Sequence, residues 1–584
     1  MTDEAMTLAH DAAPDAVQGR AAAAPDDSSD PTTWSALLHR NARYSPDAPA
    51  LIDGERSVSN AVLLDRVRRL AAGFADRGIA RGDVVAVWLP NCIEWVETAT
   101  ALASLGATAL GINTKLRSFD VRRLLERAEC DTVVSSPAFK GIDFLGMLQE
   151  IHASDPDAVR LVVEVADPSA AAPTGAPDAT DPAQAAQLPF ATVDYDDLLT
   201  SPPRDQGPDD PDSLASAFTS SGSTGVPKII MHSQAGIIGH STAVGRRFGY
   251  TDDDVVVLVG LPLCGVFGLN SLMAALTAQR TAVLQAVFEP QATVDLIERH
   301  RVTHTNMSDA MLDMTLHAAG DPDRIASLRE VGFGNFTATD VRELLDRGAH
   351  LRKRFFQTYG SSEVQALMCY PRDEADLGRL SLGGGVPVTP LTQVRITPTD
   401  GGEEASDGSD HRVGEIEVRG PFISPARITG DGYEPTPVTA DGWFATGDLG
   451  YMDSADDVVY LSRMGDVLRL GGFLVSPREV EEFLITLPGI AQAQFVAAQM
   501  DEGLVPVAFV VRTADSPTHD EDAILTACRS TLARFKVPQR VIPLDEFPTV
   551  RGANGDKIQR NRLREMAEAA LASSTTQSTN EGHR

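Results

Sequence analysis

The chain has 584 residues, of which 43% are hydrophobic, and carries a formal net charge of −32 at pH 7. This length exceeds what one hydrophobic core usually supports, so at least two domains are expected. The negative charge argues against nucleic acid as a partner, because nucleic-acid binding needs a basic face.

The cysteines and the N-terminus indicate a cellular compartment. The N-terminal residues are acidic and contain no secretory signal. The chain has five scattered cysteines and no CxxC pair, namely Cys92, Cys130, Cys264, Cys369 and Cys528. The pattern predicts neither a disulfide framework nor a zinc site and favours the reducing cytoplasm.

The first third of the chain alternates between helix and strand patterns after a polar start. Residues 1–32 are rich in Ala, Asp and Pro and are predicted to be a disordered tail. Apolar residues recur at helical spacing over Leu63–Phe74, and Asp83–Leu89 then reads as a buried strand. This alternation predicts an α/β layer architecture. Residues 167–213 interrupt it and are predicted to be a surface insertion, apart from a short candidate element at Phe190–Leu199.

Residues Phe218–Lys228, FTSSGSTGVPK, form the most informative segment. Glycines allow successive backbone N–H groups to converge on a phosphate, hydroxyls add donors, and a lysine adds a compact positive charge. The flanking apolar residues predict strand–loop–strand, and the segment does not match the GxxxxGKS/T loop of nucleotide triphosphatases. A flexible surface turn is the alternative interpretation. The phosphate-cradling residues are Ser220, Ser221, Gly222, Ser223, Thr224, Gly225 and Lys228.

The span Val255–Gln279 carries no charge and is long enough to suggest a transmembrane helix. Pro262 and several glycines interrupt it, so a buried strand, a turn and a core helix are predicted instead.

The last third of the chain changes in character past Arg463. An acidic loop at Asp400–His411 precedes a predicted β-rich subdomain that starts at Val413–Val418. Beyond a boundary placed at Met464–Gly465, the pattern predicts a compact domain. Its elements are a helix at Glu479–Leu487, strands at Phe495–Ala498 and Val505–Val511, and a helix at Ala523–Leu532.

Lysine is rare in this chain, which uses arginine instead. The six lysines are Lys115, Lys140, Lys228, Lys353, Lys536 and Lys557. Lys228, Lys536 and Lys557 lie within or beside the motif segments, which favours a need for a point charge there, although chance placement is the alternative.

Five segments in order resemble the adenylate-forming superfamily, which includes acyl-CoA ligases, luciferases and peptide-synthetase adenylation domains. The resemblance covers roughly residues 33 to 570. The segments are the loop above, YGSSE at Tyr359–Glu363, GWFATGD at Gly442–Asp448, RMGDVLRLGGFLVSP at Arg463–Pro477 and NGDKIQR at Asn554–Arg560.

The resemblance implies a fold and a domain organisation. The expected fold is α/β, with a large N-terminal domain of layered mixed sheets, helices and a β-rich subdomain, followed by a small mobile α+β domain. The boundaries are a disordered tail at 1–32, the N-terminal AMP-binding domain at 33–464, the C-terminal domain at 465–571 and a disordered tail at 572–584.

The resemblance also assigns roles to residues. Lys557, Glu363 and Lys228 are the implied catalytic residues, and Ser220 and Glu363 the implied magnesium ligands. The family has NGK where this chain has NGDK, so the reach of Lys557 departs from the pattern. The alternative interpretation of Lys557 is a solvated surface lysine. The alternative interpretation of Asp448 is an ordinary turn residue.

Further nucleotide-binding residues implied by the resemblance lie in several loops. Tyr359 would lie against adenine, with Gly332–Asn335 as the adenine-facing turn, while Asp448 and Arg463 would bind the ribose. Gly471 and Gly472 would line the pantetheine tunnel. Gly334, Gln357, Thr358 and Ser362 complete the implied set.

The acyl-pocket segment of relatives corresponds to Pro262–Asn270, which contains no acid to hold a substrate ammonium group. An uncharged acyl or aryl acid is therefore expected, with fatty-acid metabolism as a possible context. The predicted function is an acyl-CoA ligase that uses ATP, Mg²⁺ and coenzyme A through an acyl-AMP intermediate. Transfer to a carrier-protein thiol and a non-catalytic acyl or nucleotide binder are the alternatives, and a homodimer is left open.

Overall fold

The computed structural model describes residues 30–166, 188–204, 210–220, 228–334, 341–398, 412, 414–430, 432–463, 468–470, 473–475, 477–500, 503–513, 521–552 and 555–581. The side chains of Ser220, Arg463 and Lys557 lie outside this description. Residues Pro31–Arg584 form one unit by their contacts.

The helices follow the apolar periodicity of the sequence. In α2, for example, Ser59 caps the N-terminus by accepting from the Val62 N–H at 3.4 Å, and the buried side chains recur every three to four residues. The helices are α1 Trp34–Tyr44, α2 Asn60–Asp76, α3 Ile93–Leu105, α4 Ser118–Arg127, α5 Phe144–Ser154, α6 Tyr195–Leu199, α7 Gln234–Arg247, α8 Val266–Thr277, α9 Pro290–His300, α10 Asp309–Ala319, α11 Val341–His350, α12 Leu377–Leu380, α13 Pro477–Thr486, α14 Glu521–Thr531 and α15 Arg560–Glu581.

The strands are short and mostly apolar. Central parallel strands such as β4 and β5 are buried on both faces, as is typical of parallel strands covered by helices, whereas strands at sheet edges such as β2 and β9 are largely exposed. The strands are β1 Pro49–Asp53, β2 Arg56–Ser59, β3 Val84–Trp88, β4 Thr108–Gly111, β5 Thr132–Ser135, β6 Ala138–Phe139, β7 Ile142–Asp143, β8 Leu161–Glu164, β9 Ala191–Asp194, β10 Leu214–Ser220, β11 Lys228–Ser233, β12 Val256–Val259, β13 Thr281–Leu284, β14 His304–Ser308, β15 Glu330–Gly334, β16 Arg354–Gln357, β17 Cys369–Tyr370, β18 Gly383–Pro387, β19 Gln393–Thr397, β20 Gly414–Arg419, β21 Ala426–Thr429, β22 Gly432–Pro435, β23 Phe444–Met452, β24 Val458–Arg463, β25 Leu468–Leu470, β26 Phe473–Val475, β27 Ile490–Met500, β28 Gly503–Arg512, β29 Arg540–Leu544, β30 Thr549–Gly552 and β31 Gly555–Ile558.

Two large sheets form the framework of the N-terminal part. One has nine strands in the order β22-β21-β11-β10-β4-β3-β5-β8-β9, and the other has seven in the order β16-β15-β14-β12-β13-β1-β2. Their main core combines both sheets with helices, represented by Phe74 of α2, Trp95 of α3, Ile238 of α7 and Leu272 of α8. The predicted α/β class with layered mixed sheets is confirmed.

A six-stranded antiparallel sheet, β17-β18-β24-β23-β20-β19, forms the predicted β-rich subdomain. The C-terminal part contains the three-stranded sheet β27-β28-β29 and the hairpins β25-β26 and β30-β31. Helices α13 and α14 appear where the sequence predicted them, with Pro477 in the first position of α13.

The span Val255–Gln279 contains a strand, a turn and a helix, as predicted. Strand β12 ends at Val259, and α8 begins at Val266 after the turn. No helix among the described residues is long and apolar enough to cross a membrane.

Two expectations from the sequence need correction. Helix α15 continues to Glu581, whereas disorder was expected from residue 572. Strong helix formers (Arg, Leu, Glu and Ala) fill the first half of this helix, Arg560–Ala572, and once a helix is nucleated each further residue adds a backbone hydrogen bond. The second concerns the extent of the predicted insertion at 167–213: its short candidate element at Phe190–Leu199 is present as β9 and α6, and β9 belongs to the nine-stranded sheet. Strand β9 pairs in parallel with β8, and Tyr195 and Leu198 are buried. Residues 1–29, 167–187 and 205–209 lie outside the described ranges.

Candidate active site

The ends of the phosphate loop lie side by side on the nine-stranded sheet. Strands β10 and β11 are antiparallel, and Ser220 is the register partner of Lys228. The predicted strands on both sides of the loop are therefore present. The loop itself, with Ser221, Gly222, Ser223, Thr224 and Gly225, lies outside the described residues.

Tyr359 and Asp448, two residues implied to bind the nucleoside, meet in the structure. The Tyr359 hydroxyl donates a hydrogen bond of 2.9 Å to Asp448 Oδ2 across a sequence separation of 89 residues. Both side chains are buried, and the ring of Tyr359 stacks on Tyr460 with the centroids 5.3 Å apart. Burial and the Asp448 charge raise the pKa of Tyr359, so the phenol stays protonated and donates.

The segment that carries Tyr359 is adjacent to the end of β15. The Thr358 N–H donates to the Phe333 carbonyl at 2.9 Å, which puts this segment beside Gly334. Gln357 donates its side-chain amide to the Ser381 carbonyl. Gly334 ends β15, and Asn335 lies outside the described residues.

A buried histidine on β11 supports the segment that contains Ser362 and Glu363. His232 Nε2 lies 2.7 Å from the Ser362 carbonyl, which can only accept, so Nε2 carries the proton. Burial lowers the pKa of His232 to about 4, and this side chain is therefore neutral at pH 7. His240 makes the same kind of bond to the Ala366 carbonyl at 2.8 Å, and burial lowers its pKa to about 4.

The residues after Glu363 have a strained backbone. Gln365 and Leu367 have left-handed φ values of 61° and 64°, which non-glycine residues rarely adopt. The Gln365 side chain is buried and donates to the Gly236 carbonyl at 2.8 Å. At Gly360, a Cβ atom would lie 2.6 Å from the Gln365 carbonyl oxygen, so the turn requires glycine. The chain is thus held in one conformation next to Glu363.

Glu363 lies at the rim of this region and is half-buried. Ser361 Oγ donates to Glu363 Oε2 at 3.1 Å, and the Glu363 carbonyl accepts from the Ser424 N–H at 2.7 Å. Among the described residues, no three His, Cys, Asp or Glu side chains form a metal-binding group. A single carboxylate suits Mg²⁺ that is held mainly by phosphates and water.

The remaining predicted residues are placed only by their backbones. Arg463 is the register partner of Asp448 across β23 and β24. Lys557 lies on β31 opposite Val550. Gly471 and Gly472 fall between β25 and β26, outside the described residues.

The structure reveals a basic cavity that the sequence did not predict. It has a volume of about 720 Å³, and its lining includes Arg117, Arg529, Arg534, Phe535 and Leu470. Arg117 precedes α4 in the N-terminal part, whereas the other lining residues belong to the C-terminal part. Its three arginines give the cavity a positive lining in a chain with a net charge of −32. The sequence could not predict this cluster, because Arg117 lies more than 400 residues before Arg529 and Arg534.

Lys115 interacts electrostatically with Cys264 of the predicted acyl-pocket segment and with Arg534 of the cavity. Burial lowers the pKa of Lys115, with Cys264 opposing and Arg534 reinforcing that effect. The segment Pro262–Asn270 presents a buried Asn270, whose amide lies 3.4 Å from the Ala366 carbonyl. The acyl segment and the strained residues are therefore neighbours.

The chain is similar in sequence to several acid–CoA ligases. The chain is 31% identical to the indoleacetate–CoA ligase of Aromatoleum aromaticum, covering 91% of this chain and 98% of that protein. It is 28% identical to an octahydroindenyl-propanoyl:CoA ligase of Rhodococcus jostii, covering 92% of this chain and 99% of the relative.

The structure also resembles solved structures of o-succinylbenzoate CoA synthetase (MenE) from Bacillus subtilis at 25% identity. The TM-score is 0.73 to a double mutant bound with its product analogue OSB-NCoA, covering 91% of this chain and 98% of that one. It is 0.59 to the form in complex with ATP and magnesium ion, with coverage of 90% and 99%.

Two family profiles match in succession. The profile of the AMP-binding enzyme C-terminal domain matches residues 479–553. The profile of the AMP-binding enzyme matches residues 38–426, which is more than half of the chain. The resemblance noted from the sequence motifs is confirmed, and this chain belongs to the AMP-binding enzyme family.

Proposed function

We propose that the chain is an ATP- and Mg²⁺-dependent acid–thiol ligase that converts a carboxylic acid to acyl-AMP and then to acyl-CoA. The observation that carries the first step is the hydrogen bond between Tyr359 and Asp448. It brings together a tyrosine ring and a carboxylate, the two groups that an adenosine needs for stacking and for its ribose hydroxyls.

In the adenylation step, a carboxylate oxygen of the acid attacks the α-phosphorus of ATP, and the bond to pyrophosphate breaks. Two anions must meet, so catalysis depends on positioning and charge neutralisation. Lys228 and the Ser220–Gly225 loop would hold the phosphates, and Lys557 would neutralise charge where carboxylate and phosphate converge. Gly334, Gln357, Thr358 and Ser362 would shape the nucleotide site, with Arg463 beside the ribose.

Glu363, with Ser220, is the proposed anchor for Mg²⁺, which would neutralise phosphate charge. The fit rests on donor chemistry: Glu363 is a half-buried carboxylate in a segment fixed by His232 and Ser424. Hard oxygen donors of this kind suit Mg²⁺ bound with substrate phosphates.

In the second step, the thiol sulfur attacks the acyl carbonyl carbon, and AMP leaves with the bonding electrons. The basic cavity supports coenzyme A as the thiol because Arg117, Arg529 and Arg534 can bind its phosphates. Phe535 in the same lining offers a ring for a base. Leu470 in the lining immediately precedes, in the sequence, Gly471 and Gly472, the residues of the proposed pantetheine passage.

The acid is proposed to be an uncharged acyl or aryl acid. No acidic residue lies in Pro262–Asn270. The names of the relatives point to acids that carry rings, such as indoleacetate, so a cyclic acid is favoured over a linear fatty acid. A cytoplasmic location, a homodimer and a domain boundary near Met464–Gly465 remain parts of this proposal.

The test is acid-dependent pyrophosphate release with and without CoA, over a panel that includes indole-3-acetate, 4-coumarate and linear fatty acids. We expect release with at least one acid and a matching acyl-CoA by mass spectrometry. Pyrophosphate release with an acyl group that transfers only to a carrier protein would favour the carrier-thiol alternative. No release with any acid would favour a non-catalytic binder.

A further inference from the structure

A buried ion pair joins the two parts of the chain beside the basic cavity. Lys536 Nζ lies 3.1 Å from Asp120 Oδ1 across a sequence separation of 416 residues. The exposed fractions of the two side chains are only 7% and 3%. Burying two charges is costly, and in this arrangement each charge is compensated by the other and by further hydrogen bonds, whereas water takes over that role when the parts separate. Its stability therefore depends on how the C-terminal part is placed.

Asp120 forms hydrogen bonds on both the N-terminal and the C-terminal side of the cavity. Its other oxygen, Oδ2, accepts from the Arg117 N–H at 3.4 Å at the start of α4. Lys536 belongs to the short 3-10 turn Arg534–Lys536, which carries Arg534 and Phe535. One carboxylate is thus bonded to the backbone of one cavity residue and to the turn that bears two others.

Aromatic and apolar contacts surround the ion pair. Phe119 lies edge-on to Phe483 of α13, with the ring centroids 5.4 Å apart. Phe119 packs against the core of the C-terminal part, and Ala533 is buried in a core of the N-terminal part. Each part therefore contributes an apolar residue to a core of the other part near the Asp120–Lys536 contact.

The comparison with solved structures shows which relative placement of the two parts contains this ion pair. At the same identity, the structure resembles the MenE form with a CoA product analogue more than the form with ATP and magnesium, with TM-scores of 0.73 and 0.59. The ion pair is therefore present in an arrangement that is closer to the CoA-bound form.

We infer that Asp120 and Lys536 form a latch that stabilises the CoA-accepting arrangement and positions Arg117 and Arg534 around the CoA phosphates. These two are positioning residues and do not touch the reacting atoms. The inference rests on the proposed function for its ligand. Breaking the latch shifts the population away from the CoA-accepting arrangement, which weakens CoA binding and leaves ATP binding intact.

The experiment compares the wild-type chain with Lys536→Met and with the double variant Asp120→Asn/Lys536→Met. The single variant leaves a buried carboxylate unpaired and can lower stability, whereas the double variant removes both charges and keeps an oxygen for the Arg117 N–H. The matched control is Glu126→Gln, which removes an exposed ion pair with Arg122 on the same helix.

Binding of CoA in the presence of AMP, and of ATP–Mg²⁺ alone, is measured by calorimetry on the folded variants. We expect the Kd for CoA to rise roughly tenfold in the double variant, while the Kd for ATP stays the same or falls. Glu126→Gln should match the wild type. An equal loss of both ligands would indicate a general structural role and overturn the inference, as would unchanged CoA binding.

Amide hydrogen exchange in the ligand-free chain separates this inference from the proposed function. The latch predicts faster exchange in α4 and around Arg534–Lys536 in the double variant, with β15 unchanged. A wild-type chain that binds no CoA would contradict the proposed function, and the exchange result would still decide whether the latch exists. Unchanged exchange in α4 would overturn the latch.

Discussion

The nucleoside region and the basic cavity are built in contrasting ways. Around Tyr359 and Asp448, buried hydrogen bonds hold segments within the N-terminal part, and the two supporting histidines are neutral. Around the cavity, arginines and a buried ion pair come from both parts of the chain. The described contacts of the first region lie within one part, whereas the lining of the second comes from both parts.

This contrast suggests how one chain can run two half-reactions. The nucleoside site must stay fixed, and it is supported by buried hydrogen bonds within one part of the chain, which are lost only on unfolding. A site that must assemble and separate uses charges, which can be hydrated again when the parts move apart. The four predictions below test this division.

The largest effect is expected for Lys557→Ala. Adenylation should fall by about 100-fold or more, while acyl transfer from supplied acyl-AMP to CoA survives, because the cation is needed where two anions meet. Rapid-quench assays of each half-reaction check this. An equal loss in both half-reactions would contradict a role confined to adenylation.

The second effect concerns stability below neutral pH. The pKa of buried His232 is about 4, below its ordinary value, so its neutral form stabilises the fold above about pH 6.5. That contribution, about 3 kcal/mol, is lost as the pH falls from about 6.5 towards 4. His232→Gln keeps an amide donor for the Ser362 carbonyl. In this variant, the free energy of unfolding measured with denaturant should decrease less between about pH 6.5 and pH 4. Exposed His39→Gln is the control, and an unchanged slope in His232→Gln would refute the assignment.

The third effect is on nucleotide affinity. Asp448→Ala removes the acceptor of the Tyr359 hydroxyl and the proposed ribose ligand. ATP binding should weaken by about 1.5–3 kcal/mol, the contribution of a hydrogen bond to a charged group. Calorimetric titration measures this, and CoA binding serves as the internal control. Unchanged ATP affinity would remove Asp448 from the ribose site.

The smallest effect is expected for Glu363→Gln. The neutral amide is a poorer ligand for Mg²⁺, so the Mg²⁺ concentration for half-maximal adenylation should rise several-fold while the rate at saturating Mg²⁺ recovers. A magnesium titration of pyrophosphate release checks this. A rate that stays low at every Mg²⁺ concentration would assign Glu363 a different role.

The sequence predicted those features that depend on local pattern. The strands around the phosphate loop, helix α8 after β12 and helix α13 after Pro477 follow from periodicity and turn residues. It could not predict contacts that depend on the tertiary fold. His232 looked like one polar residue in an apolar strand, and Lys536 looked like a motif lysine, because Asp120 lies 416 residues away. The end of α15 was misjudged because its polar composition was considered without the helix-forming residues that precede it.

The most direct test of the two-region account is ATP–pyrophosphate exchange without CoA, measured on Asp448→Ala and Arg534→Ala with an acid that the wild type activates. The account predicts that Asp448→Ala loses most of the exchange at limiting ATP. Arg534→Ala should keep wild-type exchange and instead require about tenfold more CoA for half-maximal thioester formation, since one charge-assisted contact is removed. Loss of exchange to the same extent in both variants would contradict the account.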